Sequence, residues 1–483
     1  MTRIFDLLRP LSLAAALALC GCAAHTAVRT TIAETETPTQ AGEFLDDIEH
    51  RTFQFFWERA NPKNGLIPDR WPTPSFASVA AVGFALTAYP IGVERGYITR
   101  AAARDRVLTT LRFFRDSPQG PAVEGMTGYK GFYYHFLDMN TGARWSGQSE
   151  LSMIDTSLLI AGVLFCESYF DGKDPAETEL RKIADALYRR IDWAWASRDD
   201  GGVALGWSPE MGFHPRNWKG YNEASILYIL GLASPTMPLP PSAWQVYAST
   251  FDFHWQNDFG EWHLGFPPLF GHQFSHVWID FRDIRDAYMR GKNMDYFDNT
   301  RKAIYAQRGY AIANPMHWKG YNHLIWGLTA CDGPTDAKLP YEGETRNFYS
   351  YAARGLGGAH TYDDGTLCPN AVLGSLPFVP EVALPSLREM KQKYGAEIYS
   401  TYGFLDAFNL SFHYDDVKLK YGRMAPELGW VDTDYLGIDE GLSIAMIENF
   451  RSGFVWRVMR RNPYIRSGLK RAGFTGGWME TTG

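Results

Sequence analysis

Cysteine is scarce in this 483-residue chain, with only five in all. Three of them, Cys166, Cys331 and Cys368, lie beyond the first twenty-two residues, an odd number without metal-type spacing, which argues against a cysteine zinc site. Cys166 falls in an apolar helical stretch and reads as a small buried hydrophobe. Whether Cys331 and Cys368 pair stays open on sequence alone, a disulfide being compatible with an oxidising compartment. Basic runs are missing too. Lys plus Arg number 47 against 54 Asp plus Glu, a net charge of −7, and no segment could track a phosphate backbone, so nucleic acid is not an expected partner. Also lacking are a Gly-rich phosphate loop, a nucleophile elbow and a cysteine-protease signature.

What is present begins with a processing signal. Arg3 and Arg9 flank a short start, and Leu11 to Leu19 is apolar but too short to span a bilayer. Leu19-Cys20-Gly21-Cys22 then places a small residue directly before a cysteine, the pattern of a bacterial lipoprotein cleavage site with Cys22 lipidated. Cleavage among Ala23 and Ala24 by an ordinary secretory route is the alternative. Both take the chain out of the cytoplasm, and the expectation is a cell-envelope lipoprotein, periplasm-facing or on the outer membrane, anchored through Cys22. Residues 23–42 are small, polar and Thr-rich, and read as a tether. The expected division is a signal at 1–22, a tether at 23–42 and one domain at 43–483.

Helical periods recur through that domain. Glu43–Arg59 sets Phe44, Ile48, Phe55 and Phe56 on one face, and the pattern returns at 75–88, 99–115, 150–169, 175–196, 222–232, 272–289, 296–310, 322–329, 384–394 and 439–458. Thr99 is placed to cap the helix it precedes. The linking loops are long and rich in Trp, Tyr, Gly and Pro, as loops that carry function are. The fold class read from this is all-α, an (α/α)6 toroid with aromatic-rich loops and one small β-hairpin around Tyr133–Leu137. A two-domain helical protein fits the periodicity almost as well. One repeat stands out: Trp218-Lys219-Gly220-Tyr221-Asn222 returns as Trp318-Lys319-Gly320-Tyr321-Asn322, each leading into an apolar run read as a helix. Glu223 comes directly after the first copy and His323 after the second, so a helix-entry role does not by itself call for Glu223.

Aromatic residues make up 15% of the chain, with 16 Trp. Trp71, Trp145, Trp207, Trp218 and Trp318 lie among Gly and Pro, where flat rings suit the C–H faces of sugars. Sugar-bond hydrolysis needs one carboxylic acid to protonate the leaving oxygen and a carboxylate to activate water or attack. Candidates at helix entrances and in aromatic loops are Glu150 and Asp155 in SELSMIDTS, Glu223 in GYNEA, Asp406 in YGFLDAFN, and Asp439 and Glu440 in YLGIDEG. Each could instead be an acid favoured by a helix N-terminus. His272 and His276 have i, i+4 spacing, but Gln273 stands where a zinc protease has Glu, so they are assigned to hydrogen bonding and no metal or cofactor is expected.

Several long segments, among them FFWERANPKNGLIPDR, ELSMIDTSLLIAG, GYNEASILYILGLASPT, HLGFPPLFGHQFSHVWIDFR, YGFLDAFN and YLGIDEGLSIAMIENFRSGFVWRVMRRNPYI, resemble glycoside hydrolase family 144, the endo-β-1,2-glucanases often labelled glucoamylase-like. The likeness runs from about Glu43 to the end. It implies an (α/α)6 barrel, hydrolysis inside β-1,2-glucan to short sophoro-oligosaccharides, inversion, and no catalytic metal. Carried over by motif, Glu223 is the general acid, and the base is Asp406 or Asp439. Glu150, Asp155, Trp207, Tyr221, His272, His276, Trp318 and Tyr321 are assigned to substrate. Asn409-Leu410-Ser411 departs from the expected Asn-Pro-Ser, and Asp439-Glu440-Gly441 from Asp-Gln-Gly, which puts a further charge beside a candidate base. The competing readings are an exo-acting α-glucan hydrolase, a glycan-binding lipoprotein without turnover, and a transglycosylase.

Overall fold

The computed structural model describes residues 38–146, 149–357 and 360–480. The signal, Cys22 and the tether as far as residue 37 lie outside them. The first helix, Pro38–Arg59, starts inside the stretch read as tether, and Leu45, Ile48, Phe55 and Phe56 bury one face of it.

Six helices carry the most apolar faces: Val79–Glu94, Met153–Tyr169, Ser225–Ala233, Phe270–Trp278, Pro369–Leu373 and Gly437–Arg451. Each touches the next, and the last packs on the first. Gly83 and Gly162 make one of these contacts backbone-to-backbone, since a Cβ on Gly162 would lie 2.1 Å from the Gly83 carbonyl oxygen. The Ile226 amide donates to Ser275 Oγ at 3.0 Å, and Gln273 Nε2 donates to the Ala371 carbonyl at 3.1 Å, closing two further steps. A second set lies outside: Pro38–Arg59, Arg100–Asp116, Pro175–Arg189, Tyr296–Ala313, Pro380–Ile398 and Pro463–Arg471 pack on this inner circuit. Thr99 caps its helix as expected, accepting from the Ala102 amide. Among the described residues no helix is long and apolar enough to cross a membrane.

Three expectations need correction. Helices read as continuous over 175–196, 272–289 and 439–458 are each interrupted, the second where Asp280 takes Arg282 and Arg460 in ion pairs and Asp283 turns left-handed at φ +63°, the third where Gly453 turns left-handed at φ +66°. Residues 322–329 form no helix. Gln307 instead clamps both backbone groups of Leu328, at 2.8 Å each, and Gly327 sits at φ +128° against the Cys368 carbonyl, so the second pentad leads into an irregular buried strap. Sheet is also more abundant than one hairpin. The Tyr133–Leu137 region divides between two strands, Phe132–Tyr134 joining a five-stranded sheet with Leu151–Ser152 and Gly206–Ser208, while Phe136–Leu137 pairs with Ala77–Ser78. Two of these short strands, Ala77–Ser78 and Leu151–Ser152, run directly into inner helices, and Ser78 and Ser152 end them as N-caps.

The Cys331–Cys368 pair is bonded, with Cα atoms 6.5 Å apart. Cys166 is free and buried, its thiol 3.0 Å from the Leu86 carbonyl.

Candidate active site

A cavity of about 750 Å³ opens at the N-terminal ends of the inner helices. Ser152 and Asp155 open one of those helices, Glu223 lies just ahead of another, and Asp439 is in the first turn of a third. The partial positive charge of helix N-termini makes this the favourable end for acids.

Glu223, Asp155 and Glu150 all line the cavity, together with Trp207, Trp218 and Phe213. Glu223 is only 8% exposed, and its Oε2 has no hydrogen-bond partner. Burial, with the charge of Asp155 adding to it, lifts its pKa to about 7. About half of the molecules therefore carry that proton at pH 7, on a side chain that lines the cavity. Across the cavity, His135 Nδ1 lies 2.9 Å from Glu150 and its Nε2 lies 3.5 Å from Asp155. Burial works against the imidazolium, but Asp155, Glu150 and Asp69 outweigh it and raise His135 to about 9. For Glu150, burial pushes upward and the His135 hydrogen bond and charge pull it below the usual value. Asp155 stays raised by burial, although His135 and the 2.5 Å hydrogen bond from Ser152 Oγ oppose it.

A second acid group stands beside the cavity, next to its lining residues Ile438 and Tyr351. Asp332, Asp406, Asp432, Asp434 and Asp439 are all buried, and each has a carboxylate oxygen without a hydrogen bond. Arg70 is their main positive partner, 2.5 Å from Asp332 and 3.9 Å from Asp434. Asp406 Oδ2 accepts from the Asp332 amide at 2.8 Å. Burial raises Asp406 to about 6, Asp332 to about 7 and Asp439 well above its ordinary value, the last also because Asp406 is its neighbour. Asp406 and Asp439 are neighbours that share one titration, and burial raises both. Glu440, the departure from the expected Asp-Gln-Gly, is buried, and that burial raises its pKa above the ordinary carboxylate value, with the charge of Asp406 adding to it.

Two triads, His135–Glu150–Asp155 and Asp332–Asp406–Asp432, bring ligand-type atoms within 4.8 Å of one another, a spacing that a cation could bridge. Positive charge is supplied at the first by His135 itself and at the second by Arg70.

The remaining assigned residues are elsewhere. His272 and His276 lie in the core, at 1% and 2% exposure, and burial drives both below the ordinary histidine pKa, to about 3 for His276. Tyr221 packs on His272 and Tyr296, Trp318 packs on Tyr341 and Phe348, and Tyr321 donates to Asp363 at 2.8 Å. All five are structural in position and do not line the cavity. The comparison of pentads also changes meaning: with no helix after Asn322, and His323 exposed, Glu223 is distinguished by its place on the cavity wall. Sequence reasoning missed His135, Asp69, Arg70, Asp332, Asp432, Asp434 and Tyr351. Asp69-Arg70 in IPDRWP and Asp432-Thr433-Asp434 in GWVDTDY are acids in aromatic loops, the criterion that selected Asp406.

The family described as putative glucoamylase matches residues 215–463. An exo β-1,2-glucooligosaccharide sophorohydrolase (non-reducing end) from Parabacteroides distasonis is 26% identical over 473 residues, covering 91% of this chain. The chain spans 59% of the length of that curated relative. A solved putative glucoamylase from Bacteroides uniformis superposes with a TM-score of 0.77 at 28% identity, covering 92% of this chain and 100% of that one. An endo-β-1,2-glucanase from Chitinophaga pinensis, solved with sophorotriose and glucose, gives 0.76 at 27% identity, covering 91% and 99%.

Proposed function

The chain belongs to the putative-glucoamylase family, and on that footing we propose that it hydrolyses β-1,2-glucan, cutting inside the chain with inversion at the anomeric carbon. The observation that carries the proposal is Glu223, a buried carboxylic acid with an unpartnered oxygen on the wall of an aromatic-lined cavity, protonated near neutrality. A general acid needs that proton and that access. Substrate is taken to be a glucan oligosaccharide or polysaccharide, on the precedent of the Chitinophaga pinensis enzyme and the Parabacteroides distasonis sophorohydrolase. Endo action is favoured because the endo-acting relative is matched over 99% of its length, the exo-acting one over 59%. The circuit of six inner helices and six outer ones supports reading the fold as an (α/α)6 toroid.

In the proposed reaction Glu223 protonates the glycosidic oxygen as the bond breaks. Water attacks from the opposite face and loses its proton to an ionised carboxylate. Asp406 is assigned that role in preference to Asp439, because its Oδ2 is fixed by the Asp332 amide while its Oδ1 has no hydrogen-bond partner. His135 keeps Glu150 charged, and Glu150 and Asp155 offer acceptors to sugar hydroxyls. Incubation with linear β-1,2-glucan, sophoro-oligosaccharides and starch tests the reading. Medium-length products from the polymer support endo action, sophorose alone points to exo action, and turnover of starch only would defeat the linkage assignment.

A further inference from the structure

Tyr351 belongs to both halves of the site. It lines the same cavity as Glu223, and its hydroxyl feels the charges of Asp439, Asp69, Asp406 and Asp332. Yet 47% of the residue is exposed, it packs on no other aromatic ring among the described residues, and its hydroxyl makes no hydrogen bond there. Large aromatics left open in this way are uncommon in a chain whose other tyrosines mostly stack or donate.

The backbone under it is firmly fixed. Tyr351 stands opposite Asp332 in the pairing of Tyr351–Ala353 with Ala330–Asp332, and the neighbouring pair is Ala352 with Cys331, which is bonded to Cys368. The buried Arg354 holds the turn: it pairs with Asp364 at 2.6 Å and donates to the carbonyls of Cys331 at 2.7 Å and Tyr349 at 3.2 Å. A rigid strand thus presents an open ring and an unused donor to the cavity.

Building on the glucan reading above, we propose that Tyr351 is the sugar-binding residue at the point of cleavage. Its ring face stacks on one glucosyl unit while its hydroxyl donates to a hydroxyl of that unit, holding it between Glu223 and Asp406. Stacking and donation from one side chain are what an amphipathic ring provides. Burial first, and then the surrounding carboxylates, push the phenol above its ordinary pKa, which keeps the hydroxyl a donor.

The test uses Tyr351→Phe and Tyr351→Ala, with kcat and KM on linear β-1,2-glucan, melting temperature, and calorimetric binding of sophorotriose in the Glu223→Gln background. Tyr351→Phe removes one hydrogen bond and should lower kcat/KM by about 3- to 10-fold. Tyr351→Ala removes the ring as well and should lower it by about 10²-fold, with sophorotriose binding weakened alongside and the melting temperature unchanged. Wild-type kcat/KM and binding in Tyr351→Ala would overturn the proposal, as would a loss that only tracks a fallen melting temperature while Tyr351→Phe is silent. Laminari- and malto-oligosaccharides run in parallel separate the two claims. If the wild type binds one of those and not sophorotriose, the β-1,2 reading fails, and whether Tyr351→Ala abolishes that binding still decides the role of Tyr351.

Discussion

Replacing Cys331 and Cys368 with alanine opens a loop whose ends are 37 residues apart in sequence. Closing a loop of that length removes about 4 kcal/mol of unfolded-chain entropy. Spread over roughly 440 folded residues, with an unfolding entropy of about 2.1 cal/mol/K per residue, that loss lowers the melting temperature by only about 4 °C. Activity should fall further than so small a shift suggests. Cys331 immediately precedes Asp332, whose amide holds Asp406, and Cys368 immediately precedes the helix Pro369–Leu373, which packs on the helix carrying Asp439. Calorimetry on both single variants and the pair, with kcat/KM on each, is the assay. Since either replacement breaks the bridge, each single variant should cost nearly as much as both together. Additive single losses, or full activity in the double variant, would refute the reasoning.

Folding stability should decline between pH 5 and pH 8. Glu223, Asp332 and Glu49 have folded-state pKa values raised to about 7, 7 and 8, and Asp406 to about 6, so their contribution is complete below the ordinary carboxylate range and is lost as pH rises through the raised values; a melting temperature higher at pH 8 than at pH 5 would contradict this. The pH–rate profile should be a narrow bell, its basic limb near 7 from Glu223 and its acid limb near 6 from Asp406, and a plateau reaching pH 9 would remove Glu223 from the acid role. Asp406→Asn should abolish turnover while Asp439→Asn, which retains a hydrogen-bond donor toward Asp406, should be milder; the reverse order would make Asp439 the base. Exhaustive chelation should leave activity intact, and a loss restored by a divalent ion would place a cation at one of the two acid triads.

Much of the helical frame was legible because burial writes a 3.6-residue period into the sequence, as in Leu45, Ile48, Phe55 and Phe56. The pentad repeat misled because identical entry residues do not determine the conformation of the segment after them: Gln307 and Gly327, remote from the pentad or beyond it, decide that Asn322 opens no helix. Short strands escaped notice because two or three residues carry no readable alternation. In the site, acids at inner-helix entrances were legible, and Glu223, Glu150 and Asp155 do meet at one cavity. Aromatic residues were harder to sort. Trp207 faces the cavity and Trp318 the core, though both sit among glycines, because composition does not say which side of a loop is covered. His135 and Asp332 were missed because their partners, Glu150 and Asp155 for one and Arg70 for the other, are distant in sequence and meet only in the folded chain.

The catalytic role of Glu223 on β-1,2-glucan is tested most directly by comparing wild type with Glu223→Gln on the linear polymer, sizing the products and detecting the first anomer by proton NMR. The wild type should release short sophoro-oligosaccharides as the α-anomer, and turnover should be lowered at least about 10²-fold in Glu223→Gln with glucan binding preserved. Near-native turnover by Glu223→Gln, or a first-formed β-anomer, would contradict it.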